Sequence, residues 1–197
     1  MYSLTQNEAR LMDFLIRNFK ERNSINEIGR RLNISHTGAH KILRKLEPLK
    51  IVKPEKIGNA IYYKANFEEE IGKKLGEFIL SNKEMNPYSK VMEDDLKPLK
   101  DIVSSCVLFG SVLRKGREAR DIDILLVFEV KDLKKVKNKL NEIRELNTKK
   151  IHDAIQTKED LAKNIRKSDK VILDIIKNGQ ILWGSEVIVE AIINGTS

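Results

Sequence analysis

Two aspartates one residue apart, Asp121 and Asp123, enter an apolar run in the stretch CVLFGSVLRKGREARDIDILLVFE, Cys106 to Glu129. A buried carboxylate without a partner is costly, so a chain that folds this run into a core must give the pair a proton or a cation. On a strand, Asp121 and Asp123 project to one face while Ile122 and Ile124 project to the other. Carboxylates side by side repel, and this spacing therefore suits a divalent metal. A third acid on a neighbouring strand would complete the site.

The surroundings supply a sheet. DIVSSCVLFGS, RDIDILLVFEV and KKIHDAIQT are β-prone, with a helical KDLKKVKNKLNEIREL between the last two, which together predict a small α/β domain. Asp153 alternates with Ile151 and Ile155 and is the best placed third acid. Glu129 competes, although a strand-end surface charge explains it better. His152 reads as a hydrogen-bonded strand residue and Trp183 as packing. Cys106 is the one cysteine, which excludes an internal disulfide and a cysteine zinc site. The 197 residues allow one medium domain or two small ones, and 34% charged against 41% hydrophobic residues is a globular balance.

Charge is unevenly distributed. Up to Asn66 there are 13 Lys and Arg against 6 Asp and Glu; from Phe67 onward there are 24 against 23. The basic first third points to a polyanionic partner, or to lysines kept for solubility. Its layout is legible. Thr5 with Glu8, and Ser24 with Glu27, have capping-box spacing before two apolar-periodic segments, and Ser35 caps HTGAHKILRKLEPL. In that third helix Ala39, Ile42, Leu43 and Leu46 form the buried stripe while His36, Thr37, His40, Lys41 and Arg44 face outward. IVKPEKIGNAIYYKAN then gives two short strands around a Lys56 to Asn59 turn.

Three helices followed by a hairpin resemble the winged helix-turn-helix of many bacterial and archaeal transcription regulators, over roughly residues 3 to 66. The resemblance implies double-stranded DNA as partner. His36, Thr37, His40, Lys41 and Arg44 would lie in the major groove, and the wing residues Lys53 and Lys56 near phosphates. A protein-docking module with a solvated charged face is the alternative.

FEEEIGKKLGEFILSN reads as an amphipathic helix starting at Asn66, its stripe of Ile71, Leu75, Phe78 and Ile79 packing on the second domain or pairing in a homodimer. SKVMEDDLKPLK reads as a helix ending near Pro98. The expected architecture is α+β in two domains: a winged helix over 1–66, a connecting helix and linker over 67–87 with the boundary near 83–88, and a small α/β domain with a mixed sheet over 88–197. No signal peptide and no apolar stretch of about 18 residues is present, so the expectation is a cytoplasmic protein with no membrane partner.

The second domain resembles the nucleotidyltransferase superfamily named for DNA polymerase β, whose small prokaryotic members carry Gly-Ser, about ten residues, then Asp-x-Asp. Here Gly110 and Ser111 are followed after nine residues by Asp121 and Asp123, with Gly116 in the interval. VILDIIKNGQILWGSE looks like the closing helix and short terminal segment of these enzymes. The resemblance implies an NTP held with its phosphates near Gly110, Ser111 and Arg114, the last explained equally well by a solvated helix face. It implies two Mg²⁺, with Mn²⁺ as substitute, held by Asp121, Asp123 and Asp153, the last also helping to deprotonate the nucleophile. Val112, Leu113 and Arg120 depart from the smaller or more polar residues common in the family.

Two functions follow. One is transfer of a nucleoside monophosphate from an NTP to a hydroxyl acceptor, as in small antitoxin-like members whose acceptor is a tyrosine on a toxin-like, all-helical partner. The other is a transcription regulator whose second domain only senses a nucleotide or a partner protein.

Overall fold

The computed structural model describes residues 4–82, 85 and 87–196; no helix among them is long and apolar enough to cross a membrane. The chain divides into two compact units, Met1–Leu80 and Ser81–Ser197. The division falls inside the stretch read as a connector. The linker expected near 83–88 includes residues 83, 84 and 86, which lie outside the described residues.

In the first unit, α1 (Gln6–Arg17), a two-residue β1 (Asn23–Ser24), α2 (Ile25–Leu32) and α3 (His36–Leu46) precede the hairpin β2 (Val52–Ile57) and β3 (Ala60–Ala65). The strands form an antiparallel sheet in the order β1-β3-β2, giving the winged-helix arrangement. Gly58 takes the left-handed conformation at the hairpin tip, φ +59, which a side chain would disfavour. Leu11, Met12, Leu15 and Ile16 of α1 are fully buried, as are Ile28, Ala39, Leu43 and Leu46.

Thr5, Ser24 and Ser35 cap the first three helices as their sequence positions predict, but one capping box stays open and a fourth helix starts later than expected. The Thr5 amide donates to Glu8 Oε2 at 2.8 Å while the Glu8 amide donates to Thr5 Oγ1 at 3.3 Å, a complete box. Ser24 accepts from the Glu27 amide, but the Glu27 carboxylate turns to Arg30 and Arg31 at 2.7 and 2.9 Å. The two guanidinium partners within one turn outcompete a single backbone amide. The following helix, α4, spans Glu70–Ser81 and starts later than Asn66. Asn66 is used elsewhere: its Nδ2 donates to the Lys50 carbonyl and its Oδ1 accepts from the Glu68 amide. A turn over Asn66 to Glu69 results. The expected α4 stripe is divided, with Ile79 buried and Ile71 and Phe78 exposed.

The second unit contains α5 (Pro87–Leu96), β4 (Ser105–Phe109), the one-turn α6 (Val112–Lys115), β5 (Asp121–Val127), α7 (Leu133–Leu146), β6 (Lys150–Gln156), α8 (Lys158–Arg166), α9 (Lys170–Asn178), β7 (Gln180–Trp183) and α10 (Ser185–Thr196). The sheet order is β6-β5-β4-β7, and it is mixed: β5 and β6 are parallel across α7, the other pairs antiparallel. Ile122, Ile124, Leu126 and Phe128 pack with Val136, Leu140 and Ile143 of α7 and with Cys106 and Leu108 of β4. Leu125 and Val127, of opposite parity, are also buried, and α8, α9 and α10 pack against β6 and β4. Helices therefore cover both faces of the sheet, which explains a β5 that stays apolar beyond Asp123.

Glu8 is 3% exposed and also receives the Lys45 ammonium at 2.6 Å, tying α1 to α3. Burial pushes its carboxyl up, but the Lys45 and Thr5 donors outweigh burial and hold it below 4.5. We expect Glu8→Ala to cost about 1–2 kcal/mol, read by chemical denaturation. A depressed carboxyl contributes stability that is present above its unfolded value and lost as pH falls through the folded one. The wild type should therefore lose more stability than the variant on acidification below about 4.5.

Candidate functional site

In the second unit, residues of β4, β5 and β6 meet at one end of the sheet. Asp121 and Asp123 open β5, and their side chains are 39% and 25% exposed, accessible to a ligand while the strand fixes their spacing. Gly110 ends β4's run with φ +78, and a Cβ built there would run into the Asp123 carboxylate. Glycine is required at this point both for the backbone and for the acid beside it. Ser111 follows, and its hydroxyl lies 3.4 Å from Asp121 Oδ1. Val112 is buried in the core cluster and Leu113 packs against it. The bulk at these two positions thus anchors the Gly-Ser turn from below.

The parallel ladder decides what β6 contributes. Asp121 is paired with Lys150, Ile122 with Ile151, Asp123 with His152 and Ile124 with Asp153. Paired residues share a face, so Lys150 and His152 join the acid pair while Asp153 points with Ile122 and Ile124 toward α7. There Asp153 forms an ion pair with Arg144, which also donates to the Ile151 carbonyl. The expectation that Asp153 stands with the pair is corrected by this register: alternation placed it on a face but could not say which. His152, read from the sequence as a hydrogen-bonded strand residue, stands on β6 beside the pair. Its Nδ1 lies 3.4 Å from Asp123 Oδ1 and 4.0 Å from Asp121 Oδ2.

The loop between Ser111 and Asp121 is basic and solvated. Arg114, Lys115, Arg117 and Arg120 are exposed, and Lys149 Nζ donates to the Arg117 carbonyl while lying 4.8 Å from the Tyr88 ring centroid. A cavity of about 530 Å³ opens beside Lys149, with Arg144, Lys150, His152 and Asp153 among its lining. Glu129 is exposed beyond the strand end. Trp183 is structural: its Nε1 donates to the Val103 carbonyl at 2.9 Å. Cys106 is fully buried, and burial pushes its thiol far above the ordinary value, leaving it inert.

In the first unit, α3 presents His36, Thr37, Lys41 and Arg44 to solvent, with His40 half-buried. The His36 and His40 rings stack with centroids 6.5 Å apart. Lys56 is exposed near the hairpin tip, whereas Lys53 is held by Glu68 at 2.6 Å. The structure thus gathers the predicted helix residues on one face and leaves one wing lysine engaged with an acid.

Residues 96–186 match the family model for polymerase beta nucleotidyltransferases. That stretch of the second unit is similar to the nucleotidyltransferase family, and the matched residues include Gly110, Ser111, Asp121 and Asp123. No curated protein matches the chain. Among solved structures, the zinc-responsive MarR family member ZitR of Lactococcus lactis aligns at 18% identity and a TM-score of 0.32, over 51% of this chain and 76% of its own. A double mutant of the same ZitR aligns at 17% identity and a TM-score of 0.32, over 51% of this chain and 75% of its own. At those TM-scores the overlap bears on neither fold nor function.

Gly110→Ala should displace the Asp123 carboxylate and strain the backbone. A loss of about 1–3 kcal/mol in denaturant unfolding is expected. Gly58→Ala, strained in the same way but in open space, should cost less.

Proposed function

We propose that this chain is a DNA-binding regulator whose second unit binds a nucleoside triphosphate together with a divalent cation at Asp121 and Asp123. The observation that carries the proposal is the packing of the Gly-Ser turn onto the acid pair, with Gly110 against Asp123 and the Ser111 hydroxyl beside Asp121. The turn lies against both carboxylates, which stay partly exposed at 39% and 25%.

The residues fit a divalent cation on chemical grounds. Two half-exposed carboxylates provide hard oxygen donors, and phosphate oxygens can complete the coordination. A bound Mg²⁺, or Mn²⁺ in its place, would neutralise phosphate charge and favour departure of pyrophosphate. Gly110 and Ser111 would hold the β- and γ-phosphates, and Arg114 with Lys115, Arg117 and Arg120 would draw the polyanion toward the turn. Transfer of the nucleoside monophosphate to a hydroxyl acceptor is the reaction this type of domain supports. Nucleotide sensing without transfer is favoured by one observation, the turning away of Asp153 toward Arg144. The toxin-like partner implied by the resemblance finds no support.

For the first unit, the basic excess and the outward face of α3 support duplex DNA. His36, Thr37, His40, Lys41 and Arg44 would enter the major groove, with Lys56 on a phosphate. Lys53 would have to exchange Glu68 for DNA.

Calorimetry with ATP, GTP, CTP and UTP, each with and without Mg²⁺, tests the nucleotide site. At least one should bind in a metal-dependent manner, and Asp121→Ala with Asp123→Ala should weaken it at least about tenfold, the effect of losing about 1.4 kcal/mol. Equal binding by the double variant would refute the site. For DNA, the logarithm of affinity for a duplex should fall linearly with that of salt. Lys41→Ala with Arg44→Ala should make the slope shallower by about 1–2.

A further inference from the structure

We infer that the acid pair carries one divalent cation, brought in with the triphosphate, and that Lys150 and His152 occupy the place from which a second cation would be held. The inference rests on the nucleotide site proposed above. A two-metal site holds its ions about 3.5–4 Å apart and needs ligands for both. Asp121 and Asp123 can bridge, but a second hard cation then needs an oxygen donor from the neighbouring strand. β6 offers an exposed lysine, Lys150, in register with Asp121, and the His152 imidazole 3.4 Å from Asp123, with no carboxylate in register with either acid.

The one acid on that stretch of β6 is fastened away. Asp153 is bound to Arg144, whose guanidinium also donates to the Ile151 carbonyl at 3.0 and 3.2 Å, and Ile151 itself is 3% exposed. Bringing Asp153 across would require sliding β6 by one residue, which would turn Ile151 out of the core. Among the described residues no three His, Cys, Asp or Glu side chains are gathered to hold a metal on their own. A cation on the pair would complete its shell with phosphate oxygens of the ligand and with water. An ammonium in the adjacent register position opposes a second ion, since like charges repel. The same ammonium suits a phosphate oxygen. The site is thus built for nucleotide occupancy more than for activating an acceptor hydroxyl, in keeping with a regulatory role.

The full chain should be dialysed to equilibrium against Mn²⁺ with the α,β-methylene analogue of each of the four NTPs, and the bound Mn²⁺ counted. One ion per chain, with the EPR spectrum of an isolated Mn²⁺, is expected with at least one analogue. Two ions with an exchange-coupled spectrum would overturn the inference while leaving the nucleotide site standing; no bound ion with any analogue would overturn both. His152→Asp places a carboxylate beside Asp123 and should raise the count from one to two, whereas His152→Asn should leave it at one. A folded His152→Asp variant that stays at one would contradict the assignment of position 152.

Discussion

The parallel pairing of β5 with β6 is the constraint on which the chemistry of this chain depends. Ile122, Ile124 and Ile151 are buried on one face, and they lock the register. Once they are in place, the polar residues between them have no choice of side. Asp121 and Asp123 go to one face with Lys150 and His152, and Asp153 goes to the other. A slip of one residue would exchange these sets and expose a buried isoleucine. Core packing of ordinary aliphatic side chains thus decides which charges share the site.

The turn before β5 is set by equally few contacts. Val112 enters the core, Gly110 has no side chain because Asp123 stands where one would be, and Ser111 reaches Asp121. Between that turn and the acids in the chain, Arg114, Lys115, Arg117 and Arg120 are all exposed. An acid pair preceded by a basic, exposed stretch of chain suits a polyanion that arrives with its own cation. The first unit uses a different arrangement, a helix whose apolar stripe is buried and whose opposite face is basic.

Much of this was legible in the chain. Capping residues Thr5, Ser24 and Ser35 and apolar periodicity located α1 to α3, and Gly58 located the hairpin turn. The acid pair and Gly-Ser marked the sheet end at which the nucleotide site is proposed. Local signals of this kind depend on near neighbours only. The fate of Asp153 and His152 depended on register against β5, a long-range property for which adjacent residues carry no local mark. The late start of α4 had a similar origin, because the Asn66 side chain is engaged by Lys50, sixteen positions earlier. The short strand β7 and the helices α8 and α10 were not resolved as elements, since mixed apolar and charged runs such as KEDLAKNIR fit several local structures.

The most direct test is a crystal structure of the chain with Mn²⁺ and an α,β-methylene NTP analogue, using anomalous scattering to locate the metal. A single anomalous peak between the Asp121 and Asp123 carboxylates, touching phosphate oxygens at the Gly110–Ser111 turn while Asp153 remains on Arg144, is the predicted result. Nucleotide bound away from that turn, or Asp153 drawn across to a second metal, would contradict it.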